Sequence, residues 1–256
     1  MENTSILAKL KLPGRVFQLP SRAALYQNGE LEGADGEVQV QALSALTEIN
    51  LKNPDLLFNG SAVREVCAEC VPNIKKPDQL FARDIDALMI FLRLVTYGPV
   101  FEIQVKHNCE HAKNHSYTVN LEQLLSEMQF LDPTSIKDTV TMQNGQVVKL
   151  NPIRFEHMIK LFQMNTGKDK LSPEDVKKNI VFNLTNVIQS VDGVTDRAAI
   201  EMWVKSLTSP MQNRINEAVE ALNEWGPKKT ADLKCKDCGE VMTVDLPLDP
   251  VSFFSE

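Results

Sequence analysis

Histidine and cysteine side chains, which can bind metal ions, are concentrated in two short stretches of the sequence. The first stretch, VKHNCEHAKNHSYTVNL over residues 105–121, holds three of the four histidines and one of the five cysteines. The second stretch, LKCKDCGEVMTVDL over residues 233–246, holds two cysteines separated by two residues. Both combine β-forming flanks, a turn that carries cysteine, and an ending in Val-Asn-Leu or Val-Asp-Leu. This repetition predicts two hairpins that contribute to one site.

The second stretch has the form of a metal-binding knuckle, a tight turn that directs two cysteine sulfurs at one point. Its cysteines are Cys235 and Cys238, and Gly239 follows them and allows the backbone to turn beneath the sulfurs. Thiolates at this spacing suit a soft divalent metal such as zinc, and a closed structural zinc site takes four protein ligands. Two more ligands must come from elsewhere, and the first stretch is the natural source.

The first stretch offers more ligands than such a site requires. Cys109 is the expected third ligand, and His115 is favoured as the fourth because it stands just before the predicted second strand of the hairpin. His111 is a close alternative, whereas His107 falls on the predicted incoming strand and is a weaker candidate. The expected metal ligands are therefore Cys109, His115, Cys235 and Cys238.

Four protein ligands would leave no coordination position for water, which predicts a structural rather than a catalytic zinc ion. The site would join Cys109 to Cys235 across 126 residues. Loop-closure entropy tolerates this separation because it grows only logarithmically with loop length. The alternative is that the first stretch is a polar loop and that the two later cysteines are merely reduced thiols. Disulfides are not expected from an odd number of cysteines in a chain without an evident export signal.

Other candidate motifs have simpler explanations. Cys67 and Cys70 repeat the two-residue spacing, but helical periodicity places them beside Val63 and Val66, so we expect buried core thiols. Residues 164–168 lack the first glycine and the preceding strand of a phosphate-binding loop. No nucleophile, acid or base stands in a recognisable setting. The sequence therefore predicts no enzyme and no small-molecule substrate.

Composition and charge restrict the remaining classes of protein. A chain of 256 residues, of which 43% are hydrophobic, can bury a sizeable core. A formal net charge of -7 and a pI near 5.3 argue against general binding to nucleic acids or anionic membranes. No apolar run approaches the roughly 20 residues of a membrane-spanning helix, and the amino terminus does not read as a signal peptide. We therefore expect a cytoplasmic protein without a membrane partner.

The elements that must position the two stretches are mostly helices. Amphipathic periodicity predicts helices over residues 61–71, 84–97, 121–130, 153–164, 196–207 and 210–225, with a further helix that begins at Ser172. Alternating residues on either side of Asn144-Gly145 predict a type I′ hairpin. The expected fold is α+β, predominantly α-helical, with small antiparallel β-hairpins that form a split zinc-ribbon-like site.

The predicted organisation has three regions. Residues 1–130 form an N-terminal α+β region that carries the first knuckle, and residues 131–230 form a β-hairpin and a helical region. Residues 231–256 carry the second knuckle and pack back on the N-terminal region.

Several short motifs occur in a distinctive order between about residues 10 and 130, and similarity resumes from Cys235 to Phe254. The motifs are Leu19-Pro20-Ser21-Arg22, Gly36-Glu37-Val38, Asn53-Pro54-Asp55-Leu56-Leu57, Asn59-Gly60, the helix from Asp84 to Gly98, and the first stretch. In this order they resemble the T4-like bacteriophage baseplate hub assembly proteins. The chain departs from a plain pair of two-cysteine knuckles, because its first knuckle is rich in histidine.

The resemblance implies a nonenzymatic factor of contractile-tail assembly whose partners are baseplate hub or tape measure proteins. Such a factor would be found in the host cytoplasm during assembly, or in the tail of the virion. The alternative function is a zinc-ribbon regulatory protein that binds nucleic acid. Lys228, Lys229, Lys234 and Lys236 would supply its basic strip. A zinc-dependent enzyme comes third and would require only three protein ligands and a metal-bound water.

Overall fold

The computed structural model describes residues 14–27, 29–109, 113–168, 170–248 and 253–254. Helices account for 43% of these residues and strands for 22%. The expected mixture of helices and small antiparallel sheets is therefore confirmed. No helix in the described ranges combines the length and the apolar character needed to cross a membrane.

The first half of the chain contains two hairpins and a group of helices. Its strands are β1 (Arg15–Gln18), β2 (Glu37–Val40), β3 (Val100–Lys106) and β4 (Asn114–Asn120). Its α-helices are α1 (Ala45–Leu51), α2 (Pro54–Phe58), α3 (Ser61–Cys70), α4 (Ala82–Tyr97) and α5 (Leu121–Ser126). β1 pairs antiparallel with β2, and β3 pairs antiparallel with β4.

Within the described residues, the second half of the chain adds a three-stranded sheet, four helices and a final hairpin. Its helices are α6 (Phe155–Asn165), α7 (Pro173–Val187), α8 (Arg197–Lys205) and α9 (Ser209–Leu222). Its strands are β5 (Thr139–Thr141), β6 (Val147–Leu150), β7 (Ile188–Val191), β8 (Thr230–Lys234) and β9 (Val241–Asp245). The sheet order is β5-β6-β7, and β8 pairs with β9, all antiparallel.

Local sequence signals explain several turns and helix ends. The predicted hairpin between β5 and β6 is confirmed, but the predicted type I′ turn is wrong, because Gly145 has a positive φ of 85° and Asn144 does not have a positive φ. The N–H of Gly145 instead donates to the carbonyl of Met142 at 3.0 Å, so the tight turn spans residues 142–145. Ser172 caps α7 through a reciprocal pair of hydrogen bonds with Asp175. The helix predicted over 121–130 instead ends at Ser126. The chain leaves it there, and Gln129 exchanges two backbone hydrogen bonds with Gly226.

The first hydrophobic core surrounds α4. Leu88, Ile90 and Leu92 of this helix are completely buried, so α4 is covered on more than one face. Cys67 and Cys70 of α3 are also completely buried in this core. The prediction that they are core thiols is confirmed.

A second hydrophobic core lies between the three-stranded sheet and the later helices. Its members with little or no exposure include Val148, Leu150, Ile188, Ile200 and Ile215. A smaller cluster of Phe81, Leu131 and Trp225 lies near the chain's return from α9. The division into regions 1–130, 131–230 and 231–256 stays a prediction.

Phe253 and Phe254, near the end of the chain, pack against α4. Neither side chain is exposed, and both belong to the first core. The buried Arg93 of α4 donates a hydrogen bond to the carbonyl oxygen of Phe253. Its guanidinium also lies 4.6 Å from the ring centroid of Phe101 on β3. These contacts join α4, the first hairpin and the C-terminal residues.

A buried carboxylate holds the N-terminal segment against α4. Asp84 is completely buried and accepts hydrogen bonds from the backbone N–H of Ser21 at 3.0 Å and from the hydroxyl of Tyr26 at 2.8 Å. Burial raises the pKa of Asp84 to about 6, although the two hydrogen bonds act to lower it.

We expect Asp84→Asn to remove part of the pH dependence of stability. The pKa of Asp84 is about 6 in the folded chain and 3.8 for an ordinary carboxyl, so the folded state binds this proton more tightly. The wild-type carboxyl therefore lowers the free energy of unfolding as the pH rises from about 4 through about 6. The variant should lose on the order of 1–3 kcal/mol of that change, measured by urea unfolding at about pH 4.5 and about pH 7.5. An identical pH dependence in both proteins would contradict this assignment.

Candidate metal centre

The β3–β4 and β8–β9 hairpins bring their turns to the same place. The first turn lies between Lys106 and Asn114, which face each other at the end of the ladder. The second lies between Lys234 and Val241, which face each other in the same way. The described histidines and cysteines of the two stretches therefore lie at the turn ends of two antiparallel ladders.

Four side chains converge between these turns. The ligand atoms of His107, Cys109, Cys235 and Cys238 all lie within 4.8 Å of one another. Nδ1 of His107 is 3.3 Å from Sγ of Cys238. In a tetrahedral zinc site, bonds of about 2.3 Å to sulfur and about 2.0 Å to nitrogen place neighbouring ligand atoms about 3.5–3.8 Å apart. The cluster has both the dimensions and the donor types to hold a metal ion.

Backbone hydrogen bonds shape the turn between β8 and β9. The N–H of Gly239 donates to the carbonyl of Cys235 at 2.9 Å, and the N–H of Cys235 donates to the carbonyl of Glu240 at 2.8 Å. Gly239 has a φ of 79°, in the left-handed region that favours glycine. The glycine after Cys238 thus has the role in this turn that its position in the sequence suggests.

Other backbone N–H groups of this turn contribute to different acidities of the two cysteines. The N–H of Cys238 lowers the pKa of Cys235 to about 6, with help from the N–H of Asp237 and against desolvation. The N–H of Glu240 also lowers the pKa of Cys238, but desolvation and the sulfurs of Cys235 and Cys109 outweigh it and raise this pKa to about 11. Cys235 is therefore the cysteine of the turn that most readily supplies a thiolate, the form that binds metals.

His115 lies outside this cluster. Sequence analysis favoured it because it was expected to precede the second strand, but β4 already begins at Asn114. His115 is consequently a strand residue opposite Val105. Its Nε2 lies 2.9 Å from Oδ1 of Asp237, so its side chain is paired with the second turn.

His107 occupies the position beside the three cysteines. Sequence analysis placed it on the incoming strand, whereas β3 ends at Lys106 and leaves His107 in the turn. The structure brings together three of the residues predicted as ligands, with His107 as their neighbour: Cys109, Cys235 and Cys238. His111, the alternative fourth ligand, lies outside the described residues. The only sequence signal for His107 was its membership of the first stretch.

A second group of contacts joins the hairpins beside the cluster. The backbone N–H of Lys236 donates to the hydroxyl of Tyr117 at 3.1 Å, and Nζ of Lys236 donates to the carbonyl of Ser116 at 2.6 Å. The ammonium also lies 5.1 Å from the ring centroid of Tyr117. Together with the pair of His115 and Asp237, these contacts form what we call the hairpin junction.

Most lysines of the basic strip beside the second knuckle have partners. Lys228 pairs with Glu127 at 3.1 Å, and Lys229 pairs with Asp86 at 2.7 Å. Lys236 belongs to the hairpin junction. Carboxylates therefore balance the positive charge of two of the four lysines in this strip.

Comparison with known proteins identifies the family of the chain. The family model of the T4 bacteriophage base plate protein matches residues 40–255. No curated protein and no solved structure matches the chain significantly. Because the family match spans most of the chain and includes both hairpins, this protein belongs to the T4 bacteriophage base plate protein family.

Proposed function

We propose that this baseplate protein acts without catalysis in tail assembly, as a component of the baseplate hub or as an assembly factor for the tape measure protein. We further propose that a structural zinc ion joins its two hairpins. One observation carries the proposal: ligand atoms from both turns converge in the cluster of His107, Cys109, Cys235 and Cys238. The protein would act in the host cytoplasm during assembly and could then remain in the virion tail.

The donor types support zinc as the metal. Three cysteines and one histidine are the soft and borderline donors of structural zinc sites, whereas magnesium and calcium take oxygen ligands. Four protein ligands fill the tetrahedral coordination of zinc and leave no position for an activated water molecule. This ligand set favours an architectural role over hydrolysis.

We expect the zinc ion to stabilise the packing of the two hairpins against each other. The β3–β4 and β8–β9 hairpins are separate two-stranded sheets, and such hairpins are marginally stable alone in water. His107 and Cys238 are 131 residues apart in the sequence. The unfolded chain does not hold these ligands together, so the free energy of zinc binding would add to the free energy of folding.

Family membership and the order of the N-terminal motifs support the role in hub and tape measure assembly. Assembly factors recognise partner segments through grooves and edges, and they need no catalytic centre. A zinc-ribbon regulator of nucleic acid is less well supported, because the lysines expected to bind phosphate are mostly paired with acids or carbonyl groups.

A pair of alanine variants tests the identity of the fourth ligand. His107→Ala should weaken zinc binding by at least tenfold, because it removes a donor atom from the cluster. His115→Ala should leave the zinc content unchanged, because its imidazole pairs with Asp237. Zinc is measured by elemental analysis and by competition with a chromogenic chelator. The opposite ranking of the two variants would restore His115 as the ligand.

Cys238→Ser tests whether the metal stabilises the fold. Zinc binding contributes to folding, so losing a ligand worth about 3 kcal/mol should lower the Tm by roughly 5–10 °C for a chain of this size. Lys234→Gln is the control, since it changes an exposed residue of the same hairpin without removing a cluster atom or a contact of the hairpin junction. Thermal unfolding is followed with and without a zinc chelator. Equal melting temperatures and equal zinc contents in Cys238→Ser and wild type would refute the structural role.

Co-expression tests the assembly role. The full chain should form a complex with the cognate tape measure protein or baseplate hub protein, detected by affinity capture and size-exclusion chromatography. The absence of a complex with any baseplate or tail protein would contradict the proposed function.

A further inference from the structure

A groove opens between the two hairpins, towards the strand ends that lie away from the metal centre. Its volume is about 570 Å³. Its walls are residues 118–120 of β4 and residues 230–233 of β8, together with Leu124 of α5 and Glu127, which follows that helix. Among the described strands, β4 pairs only with β3, and β8 pairs only with β9. Each wall is therefore the unpaired edge of a two-stranded sheet.

The hydrogen-bond register determines which backbone groups of β4 face outward. In an antiparallel ladder, alternate residues exchange hydrogen bonds with the partner strand, and the residues between them direct N–H and C=O away from it. The N–H of Leu121 donates to the carbonyl of Pro99. The odd-numbered residues of β4 are therefore the ones that exchange hydrogen bonds with β3. The carbonyl of Ser116 instead points to Lys236 on the other hairpin. Thr118 therefore directs its N–H and C=O away from β3.

The same reasoning applies to β8. The N–H of Leu246 donates to the carbonyl of Lys229, and the N–H of Cys235 donates to the carbonyl of Glu240. Residues 229 and 235 thus form hydrogen bonds across the hairpin. The N–H and C=O groups of the even-numbered residues between them point away from β9. Thr230 and Asp232 are such residues, and both line the groove. Within the described ranges, no backbone hydrogen bond satisfies these outward groups.

The hairpin junction fixes how the two edges face each other. It closes the space at Tyr117 and Lys236, so the groove extends from there towards Asn120 and Thr230. β4 runs away from the metal centre and β8 runs towards it. A single extended segment between them would pair parallel with one edge and antiparallel with the other, which would join two hairpins into one five-stranded sheet.

Charge in the groove limits the side chains of such a segment. Glu127 is balanced by Lys228, whose Nζ lies 3.1 Å away. The carboxylate of Asp232 accepts a hydrogen bond from the hydroxyl of Thr243 at 2.7 Å but has no cationic partner among the described residues. A lysine or arginine on the bound segment would complement this carboxylate.

We propose that the groove binds an extended, basic segment of another tail protein by β-strand addition. Unpaired edge N–H and C=O groups are the groups that an added strand satisfies, and the free carboxylate of Asp232 selects a cationic side chain beside them. The identity of the partner as a tail protein rests on the function proposed above. The chemistry of the bound segment rests on the groove alone.

Proline substitutions test the proposed edges with matched controls. Thr118→Pro and Thr230→Pro each remove one N–H that faces the groove, and proline is tolerated at such outward positions. The controls are Glu102→Pro and Asp245→Pro, because Glu102 faces Thr118 and Asp245 faces Thr230 in the ladders. Each control removes the equivalent outward N–H from the opposite edge of the same hairpin. Thermal unfolding confirms that each variant is folded before it is compared.

The probe is a short synthetic peptide in which valine alternates with lysine, titrated into the full-length protein by fluorescence anisotropy. It should bind wild type and both controls, and it should bind each groove variant about tenfold more weakly for the loss of one hydrogen bond. Amide hydrogen exchange should slow at Thr118 and Asp232 when the peptide is bound. Absence of binding, equal binding by the groove variants, or equal binding of an N-methylated peptide would overturn the proposal.

Co-expression with the cognate tape measure and hub proteins separates the two proposals. A complex that survives both Thr118→Pro and Thr230→Pro overturns strand addition and leaves the assembly role intact. Peptide binding with the expected edge pattern, but no complex with any tail protein, supports the groove chemistry and overturns the tail partner. Amides at Thr118 and Asp232 that are protected in the isolated chain, and lose this protection when residues 1–13 are deleted, would show that the chain fills its own groove and would overturn a partner strand.

Discussion

The junction between the β3–β4 and β8–β9 hairpins is the interaction on which the rest of the structure depends. Each hairpin has only two strands and would be marginally stable alone. The Lys236 contacts to Tyr117 and Ser116 orient one hairpin on the other. The clustered cysteines and His107 lie beside this junction, where a bound metal ion would link the two turns through coordination bonds.

Two consequences follow from the position of this junction. It attaches the β8–β9 hairpin to the first hairpin, which packs on the core around α4. The hydrogen bond from Arg93 to the buried Phe253 attaches the last described residues to the same core. It also holds two strand edges beside each other without pairing them, which leaves the groove open. The proposed zinc site and the proposed partner groove therefore follow from one arrangement, in which the turns of the two hairpins meet and the strand edges beside the groove stay unpaired.

Features governed by nearby residues were readable from the sequence. The hairpin at Asn144-Gly145, the cap at Ser172 and the buried face of α3 each depend on a few neighbouring residues. The repeated strand context correctly placed Cys109 near the second turn. The choice among the histidines was harder, because it depends on whether a strand ends one or two residues earlier, and strand boundaries are the least certain part of a sequence pattern. A remote partner explains the early end of α5, because Gln129 exchanges its backbone hydrogen bonds with Gly226. The burial of Asp84 also depends on distant residues, since Ser21 and Tyr26 donate its hydrogen bonds.

X-ray absorption spectroscopy at the zinc edge of the purified full-length protein tests the central claim most directly. The account predicts one zinc ion per chain, with three sulfur neighbours at about 2.3 Å and one nitrogen neighbour at about 2.0–2.1 Å. A protein that retains no zinc under gentle purification, or a zinc ion surrounded by oxygen and nitrogen without sulfur, would contradict it.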